Sequence, residues 1–220
     1  MSVPKALRIE NIQCEYENRL VISDIDFEVK KGSHVALLGP SGCGKTTILK
    51  AIAGFIHLSR GTISIDGKIV SSETHFISPE YRRVGMVFQE HALFPHLDVE
   101  KNIGVGLRNI DSSLKTRLIE SFLKKMGLSA ERYKYPHELS GGQAQRVALA
   151  RSLVCDPVVM LLDEPFSGLD EDLRQKLNAE VAILLKERDI TCIMVTHDQD
   201  EAFAFSDKVG VINKGRLQQW

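Results

Sequence analysis

The chain has 220 residues, of which 43% are hydrophobic and 26% charged, a composition that excludes a disordered chain or a fibre. Its 28 Lys and Arg residues nearly balance its 29 Asp and Glu residues, for a net charge of −1, so we expect no nucleic-acid partner. The longest unbroken apolar runs, 158–162 and 181–185, are far shorter than the ~20 residues that a membrane-spanning helix needs.

The cysteines and the N-terminus favour a cytosolic chain. Cysteines at positions 14, 43, 155 and 192 lie far apart and form no Cys-x-x-Cys pair, which argues against a zinc site or a disulfide framework. Residues 1–5 carry no apolar stretch of the kind that forms a signal peptide. We therefore expect reduced thiols and no export.

In chain order, the first ninety residues predict mostly strands. Apolar residues at alternate positions predict two antiparallel strands at the start, and the continuous apolar run HVALL predicts a buried strand of a parallel sheet. A turn is expected at Asp66-Gly67. The predicted elements are strands at 7–12, 21–29 and 34–38, a helix at 46–53, and strands at 62–66 and 84–88.

From residue 90 to about residue 139 helical periodicity replaces the strand pattern, which predicts an inserted helical subdomain at 90–139. Asp198, with Glu201 three residues later, predicts a helix cap with a reciprocal acid. Strands that alternate with helices predict an α/β fold with a mainly parallel sheet and helices on both faces. The predicted later elements are helices at 99–107, 114–126, 142–154 and 173–187, strands at 158–162 and 191–195, a helix after Asp198, and a last strand at 209–212.

Residues 39–46 (GPSGCGKT) fit the phosphate-loop pattern G-x-x-x-x-G-K-[ST]. Glycines let successive backbone N–H groups point at phosphate oxygens, and the following helix adds its positive end. Lys45 is expected to reach the β- and γ-phosphates, and Thr46 to place a hydroxyl on Mg²⁺. A Gly-rich turn with a surface lysine would explain the pattern less well, because a strand precedes it and a helix follows.

Two acids, Asp163 and Glu164, end the buried strand VVMLL. The carboxyl ends of strands are where ligands bind in open α/β sheets. Asp163 could hold Mg²⁺, and Glu164 could orient or deprotonate an attacking water. Acids commonly begin solvated loops after strands, and only the phosphate loop makes the catalytic interpretation the better one.

The segment LSGGQ, residues 139–143, comes directly before a predicted helix. A hydroxyl, exposed N–H groups and a helix start form a second anion site. Taken alone, the segment is better explained as an ordinary helix cap with a flexible approach. A nucleotide bound to one molecule would not need two anion sites. Two molecules that face each other could each contribute one of these sites to the same nucleotide.

Three single residues are weaker candidates. Gln89 ends a strand and could reach Mg²⁺ or the water, although a lone Gln is usually a surface residue. His197 follows the predicted strand 191–195 and could contact the γ-phosphate. Tyr16 could stack on an adenine ring, although on the sequence pattern alone simple packing is the better explanation of an aromatic there.

Together these segments resemble the ATP-binding subunit of the ATP-binding cassette (ABC) transporter family. LSGGQ is the discriminating segment, because other phosphate-loop ATPases lack it, and the similarity covers essentially the whole chain. The matching segments are Tyr16, GPSGCGKTT (39–47), Gln89, LSGGQ (139–143), VVMLLDEP (158–165), SGLD (167–170) and His197.

The resemblance implies a P-loop NTPase core, with an N-terminal antiparallel β subdomain and the helical insertion, that hydrolyses ATP with Mg²⁺. It implies a catalytic set of Lys45, Gln89, Glu164 and His197, metal contacts from Thr46, Gln89 and Asp163, and coupling across a dimer through Asp170. The implied contacts to a chain's own ATP are Tyr16, Gly39, Pro40, Ser41, Gly42, Cys43, Gly44, Lys45, Thr46 and Thr47. The implied contacts to the partner's ATP are Ser140, Gly141, Gly142 and Gln143.

The resemblance also implies partners and a location. A second copy would complete an ATP-sandwich dimer, and the helical insertion would dock on integral membrane permease subunits, with a periplasmic binding protein acting indirectly. The chain would then lie on the cytoplasmic face of the inner membrane as a peripheral subunit. Residues 1–220 are expected to form a single domain that contains no C-terminal regulatory domain, although many relatives carry one.

The solute is less well defined by the sequence. Residues 92–97 (ALFPHL), with the long stretch 70–83, look most like ferric-iron importers, while polyamine, sulfate, thiamine and sugar importers share much of this pattern. One rival function is a soluble ABC ATPase that acts on ribosomes or DNA, although such proteins usually carry two cassettes or a long coiled-coil insertion. Another rival is a non-enzymatic protein that only binds nucleotide.

Overall fold

The computed structural model describes residues 4–16 and 19–220, so residues 1–3 and 17–18 of the predicted domain lie outside it. Within these ranges the strands are Lys5–Tyr16 (β1), Arg19–Lys30 (β2), His34–Leu38 (β3), Arg60–Ile65 (β4), Lys68–Ser71 (β5), Val84–Val87 (β6), Val159–Asp163 (β7), Thr191–Thr196 (β8), Lys208–Asn213 (β9) and Arg216–Gln219 (β10). The α-helices are Lys45–Ala53 (α1), Val99–Gly104 (α2), Ser112–Lys125 (α3), Gly141–Leu153 (α4), Glu171–Glu187 (α5) and Gln199–Phe205 (α6).

The strands form two sheets. Strands β2-β1-β4-β5 make an antiparallel sheet, and β10-β9-β3-β8-β7-β6 make a second sheet. In the second sheet every neighbouring pair is parallel except β9 and β10. The predicted α/β class, with a mainly parallel sheet and an N-terminal antiparallel sheet, is confirmed.

Side chains from the two faces of the parallel sheet enter two different cores. On β8, Ile193 and Val195 pack with α1 and the antiparallel sheet, whereas Cys192 and Met194 pack with α4 and α5. All four side chains are buried, which explains why β8 has a continuous apolar run instead of alternation. The parallel sheet is therefore covered on one face by α1 and the antiparallel sheet, and on the other by the remaining core helices.

The prediction of a last strand at 209–212 is wrong, because β10 follows it. The two strands are joined by a tight turn in which Lys214 and Gly215 have positive φ values of 46° and 73°. Lys is uncommon at the first position of such a turn, where Asn or Asp is typical. Asp66 and Gly67 form the same kind of turn between β4 and β5, with φ values of 48° and 75°, at the position predicted.

The predicted reciprocal cap of α6 is only half present. The Asp198 carboxylate accepts a 3.0 Å hydrogen bond from the Glu201 N–H, as a cap should. The Asp198 N–H, however, donates to Thr196 Oγ1 at 3.1 Å. Glu201 turns inward instead, is only 8% exposed, and accepts a hydrogen bond from the Thr196 hydroxyl.

The segment 90–139 contains α2, α3 and two short 3-10 turns. Asp98 caps α2 and Asp111 caps α3. The helix predicted at 99–107 ends earlier, at Gly104, and Leu107 follows in a turn. None of the helices in the described part of the chain combines the length and the apolar character that crossing a membrane requires.

Candidate nucleotide site

The loop between β3 and α1 needs glycine at defined positions. Gly42 and Gly44 have φ values of 77° and 106°, a region that L-residues avoid. A Cβ at Gly44 would lie 2.7 Å from Ile22 Cγ2, and one at Gly39 would overlap the Ile212 carbonyl oxygen. The glycine spacing of residues 39–44 thus follows from the backbone path.

The N-terminus of α1 is open to an anion. Gly44 is its N-cap, no side chain among the described residues caps it, and its first turn holds no acidic residue. The first backbone N–H groups of a helix have no partner within the helix, and the helix dipole adds a partial positive charge. This arrangement favours a bound phosphate group.

A cavity of about 280 Å³ lies over this helix start. It is lined by Val21, Ser41, Gly42, Gly44, Lys45, Thr46, Thr47, Gln89 and Glu164. Loop residues, an ammonium group, a carboxylate and an amide thus surround one space. Val21, on β2, is a lining residue that sequence reasoning missed, because within its strand it continues the apolar pattern.

Lys45 is held inside the loop. Its Nζ donates hydrogen bonds of 2.7 Å and 3.0 Å to the carbonyl oxygens of Gly39 and Pro40, and its side chain is 5% exposed. The same ammonium lies 4.0 Å from Glu164 Oε1. A phosphate in the cavity would supply the strong acceptor that this buried cation has only in part.

Thr46 and Asp163 bring a hydroxyl and a carboxylate together. Thr46 Oγ1 donates to Asp163 Oδ1 at 2.9 Å. Burial raises the pKa of the Asp163 carboxyl above its ordinary value, and the hydrogen bond from Thr46 opposes that rise. Asp163 is the last residue of β7 and Thr46 lies in the first turn of α1, so the two elements converge here.

These oxygen donors fit Mg²⁺. Mg²⁺ is usually bound by one or two carboxylates together with waters and substrate phosphates, not by an all-protein cage. Within residues 4–16 and 19–220, no cluster of three or more His, Cys, Asp or Glu side chains is arranged to hold a metal ion. A Mg²⁺ ion held by Thr46 and Asp163 would therefore take its remaining ligands from waters and phosphate oxygens.

Glu164 lies between the phosphate loop and His197. Its Oε2 is 3.2 Å from His197 Nδ1, and the carboxylate is half enclosed, with 16% of the side chain exposed. Its backbone has φ 43°, and its N–H donates to the Val195 carbonyl at 3.0 Å. Backbone conformations of this kind concentrate at functional sites, and the residue that adopts this one carries the carboxylate that contacts His197.

The turn between β9 and β10 supports the loop from behind. The Gly215 N–H donates to the Cys43 carbonyl at 3.0 Å, and the Gly215 carbonyl accepts from the Ser23 N–H at 2.8 Å. A Cβ at Gly215 would overlap the Val21 carbonyl oxygen. This support was not predicted, because the strand that follows Gly215 was itself missed.

The LSGGQ residues form a helix start at another place. Ser140 caps α4 by accepting from the Gln143 N–H at 3.3 Å, and Gln143 Oε1 accepts from the Ser140 N–H at 2.9 Å. Gln143 Nε2 also donates to Glu131 at 3.2 Å. Of the described residues that line the 280 Å³ cavity, none belongs to 140–143.

Two further candidates lie apart from the cavity lining. Tyr16, at the end of β1, has a ring that is 69% exposed. Asp170 caps α5 by accepting from the Leu173 N–H at 3.0 Å. Neither side chain is among those that line the cavity within one copy.

The sequence matches the ABC transporter family over residues 22–167. The chain belongs to this family. The matched span runs from β2 through the phosphate loop and β7 to the residues just after Glu164. It contains the phosphate loop, LSGGQ, Asp163 and Glu164, whereas His197 and the β9–β10 turn lie outside it.

Several relatives in the ABC transporter family are named as importer ATP-binding proteins. The chain is 48% identical over 200 residues to the Fe(3+) ions import ATP-binding protein FbpC 2 of Rhizobium meliloti, covering 90% of the chain and 50% of the relative. It is 43% identical to FbpC of Haemophilus influenzae, covering 97% and 61%. It is also 43% identical to the spermidine/putrescine import ATP-binding protein PotA of Nitratidesulfovibrio vulgaris, covering 97% and 57%. The chain thus spans between half and about three fifths of these relatives.

Two solved structures share the fold over nearly the whole chain. One is cbiO1 from Clostridium perfringens, part of the ABC transporter complex cbiONQ, with a TM-score of 0.86, 29% identity, and coverage of 97% of this chain and 87% of that one. The other is a dimeric ATP-binding cassette in a post-hydrolysis state bound to ADP and Pi, with a TM-score of 0.85, 27% identity, and coverage of 97% of both chains.

Proposed function

We propose that this chain is the ATP-hydrolysing subunit of an ABC importer, with ferric iron as the transported solute. The observation that carries the proposal is the position of the Glu164 carboxylate, 4.0 Å from Lys45 Nζ and 3.2 Å from His197 Nδ1. A base lies at the mouth of a phosphate loop, which is the arrangement that hydrolysis of a γ-phosphate needs.

The loop and Lys45 neutralise the phosphates. The free backbone N–H groups at the start of α1, together with the positive end of its dipole, would bind the phosphate oxygens. Lys45 exchanges its contacts with the Gly39 and Pro40 carbonyls for phosphate oxygens. Charge stabilisation by donors that are already in place is the largest contribution in many phosphoryl-transfer sites.

Thr46 and Asp163 would hold Mg²⁺, with Gln89, which lines the same cavity as Thr46, as a third oxygen donor. When bound, Mg²⁺ supplies charge neutralisation on the phosphate oxygens. The hydroxyl and the carboxylate already lie within hydrogen-bonding distance of each other, so the two protein ligands need little rearrangement to serve one ion.

Glu164 accepts a proton from water as the water oxygen bonds to the γ-phosphorus. The bond from that phosphorus to the β–γ bridging oxygen breaks, and ADP and phosphate are the products. His197 orients the Glu164 carboxylate through its 3.2 Å contact and reaches the γ-phosphate with its other ring nitrogen. At 56% exposed, His197 has room to make that second contact.

A second copy of the chain completes the site. Ser140, Gly141, Gly142 and Gln143 form a capped helix start with anion-binding character, yet they do not line their own copy's cavity. In a head-to-tail dimer each LSGGQ segment meets the other copy's ATP, and Asp170 lies across the interface. Dimerisation in the related cassette bound to ADP and Pi supports this arrangement.

The membrane partners follow from the importer assignment. We propose that integral permease subunits dock on the segment 90–139, on the cytoplasmic face of the inner membrane, where this chain is a peripheral subunit. A periplasmic binding protein delivers the solute to those permeases. Support comes from the FbpC relatives, which are named as Fe(3+) import proteins.

A polyamine is the second candidate solute. PotA relatives reach 43% and 44% identity, which is close to the values for the iron importers. Contacts to the solute would lie in the permease and binding protein, so this chain's own site serves either solute.

Release of phosphate from ATP by the purified chain tests the enzymatic part. We expect Mg²⁺-dependent release that Glu164→Gln lowers by a factor on the order of 10²–10⁴, the usual contribution of a general base, with ATP still bound. Wild-type activity in Glu164→Gln would remove Glu164 from this role. ATP binding by the wild type without phosphate release would favour a protein that only binds nucleotide.

A further inference from the structure

The C-terminal half of α4 is bonded to the loop that carries Gln89. Arg151 donates through Nη1 to the Ala92 carbonyl at 2.6 Å and through Nη2 to the His91 carbonyl at 3.0 Å. The next residue on the helix, Ser152, donates through Oγ to the Met86 carbonyl at 2.9 Å. Helix α4 therefore holds the chain on both sides of Gln89.

This segment, residues 88–92, is called the Gln89 loop below. His91 and Ala92 have φ values of 59° and 48°, and two successive left-handed residues that are not glycine are unfavourable without outside support. Within the loop the Ala92 N–H donates to the Glu90 carbonyl at 2.6 Å. Arg151 binds the carbonyls of both strained residues with one planar group, as its fork of donors allows.

The position of Arg151 is itself fixed. Its guanidinium lies over the Phe94 ring, 5.6 Å from the centroid, which adds a cation–π contact on the far side of the loop. At the other end of the same helix, Ser140 and Gln143 form the capping pair of the LSGGQ segment. One 13-residue helix thus connects the segment proposed to meet the partner's ATP with the loop that places Gln89 at its own cavity.

We propose that Arg151 is a positioning residue for ATP hydrolysis: it fixes the Gln89 loop so that the Gln89 amide faces the phosphate cavity. It also ties that loop to the helix that begins at LSGGQ. The inference rests on the proposed ATPase function, because it assigns Arg151 an effect on the rate of that reaction. Arg151 acts through the carbonyls of His91 and Ala92 and contacts no substrate.

The test compares Arg151→Met with a matched control, Arg146→Met. Arg146 is on the same helix and also donates to a backbone carbonyl, that of Met126, at 3.1 Å. Its other partner is the Glu180 carboxylate on α5, at 2.8 Å, and not the Gln89 loop. We expect Arg151→Met to lower kcat about tenfold or more while KM for ATP changes less than about threefold. Arg146→Met should change neither by more than about twofold.

A double-variant cycle with Gln89→Ala separates positioning from a general loss of stability. If Arg151 acts through Gln89, then adding Arg151→Met to Gln89→Ala should cause little further loss of kcat. The effects of mutations at interacting residues are not additive. Arg151→Lys can donate to one of the two carbonyls, so its kcat should lie between those of the wild type and Arg151→Met. If Arg151→Met does not fold, Arg151→Lys replaces it in the comparison. Thermal unfolding is measured on every variant.

Three results would overturn the proposal. They are a wild-type kcat in Arg151→Met, an equal loss of kcat in Arg146→Met, and independent multiplication of the two effects in the double variant. A wild-type chain that binds ATP but releases no phosphate would instead contradict the proposed function, so the two failures are distinguishable.

Discussion

Thr46 Oγ1 donates a 2.9 Å hydrogen bond to Asp163 Oδ1, although the two residues are 117 positions apart in the chain. The bond joins the first turn of α1 to the last residue of β7. It brings the only hydroxyl of the GKT triplet to the first of the two acids that end a buried strand. The chemistry that the sequence places in two separate motifs therefore meets at one point.

Thr46→Val tests whether this pair serves a metal ion. The loss of a hydroxyl that contacts a charged group costs roughly 1.5–3 kcal/mol, so affinity for Mg-ATP should fall roughly tenfold to a hundredfold. Affinity for ATP in EDTA should change little. Calorimetric titration with and without Mg²⁺ measures both affinities. The control is Thr116→Val on α3, whose hydroxyl donates to the Ser112 carbonyl at 3.0 Å. An equal loss in both conditions would exclude a metal role for Thr46.

Ser140→Arg tests the sharing of each site between two copies. A bulky cation at the start of α4 should block the partner's γ-phosphate, so hydrolysis should fall by more than about tenfold while ATP binding by the monomer stays within about threefold. Ser140→Ala removes the cap without bulk, at a cost of roughly 1 kcal/mol in stability, and separates capping from obstruction. Ser112→Arg, at the exposed start of α3, is the control. Loss of ATP binding by the Ser140→Arg monomer would contradict a shared site.

Gly215→Ala tests the support of the phosphate loop by the β9–β10 turn. Ala should lower both the thermal unfolding midpoint and the affinity for ATP, because its Cβ would overlap the Val21 carbonyl and disturb the bond to Cys43. Gly67→Ala is matched in φ, at 75° against 73°, but its Cβ meets no atom within 4 Å. It should cost only the left-handed penalty of roughly 1–2 kcal/mol. Equal effects of the two variants on ATP affinity would refute the support.

Glu201→Gln tests the buried carboxyl that joins α6 to β8. Burial raises the pKa of Glu201 above its ordinary value of 4.5, against the opposing effect of the Thr196 hydrogen bond; Asp198 raises the pKa further, and Arg174 and His197 lower it. The folded state therefore holds this proton more tightly than the unfolded state, and the carboxyl stabilises the fold at low pH and loses that contribution as pH rises above 4.5.

The free energy of unfolding of the wild type, minus that of Glu201→Gln, should accordingly decrease as pH rises from 4.5 through the folded-state pKa. The decrease amounts to about 1.4 kcal/mol for each unit by which the folded-state pKa exceeds 4.5. Urea unfolding at several pH values measures this difference in the free energy of unfolding. The contributions of most other titrating groups are the same in both proteins and cancel in the difference. A difference that increases with pH would show that the Glu201 carboxylate is stabilised, not destabilised, by its surroundings.

The parts of the site that lie in short continuous sequence motifs could be predicted from the sequence. A phosphate loop needs glycines at fixed positions, and β3 and β7 are recognisable because strands covered on both faces are apolar throughout. The convergence of Thr46 and Asp163 follows from both lying at the carboxyl edge of one parallel sheet. The LSGGQ segment could be recognised, but one copy of the chain does not bring it to the cavity.

Other features depend on tertiary contacts and have no recognisable pattern in the sequence. Strand β10 is an edge strand with the sequence RLQQ and a single apolar residue, so alternation could not reveal it. The inward turn of Glu201 was missed because a capping pattern does not tell whether the second acid faces the cap or the core. Arg151 acts on backbone carbonyls, which any sequence supplies.

A crystal structure of the Glu164→Gln chain with Mg²⁺ and ATP is the most direct test of the central claim. The account predicts two copies arranged head to tail, with each triphosphate held by residues 39–47 of one copy and by Ser140 to Gly142 of the other. Nucleotide bound away from residues 39–47, or phosphates contacted by a single copy only, would contradict it.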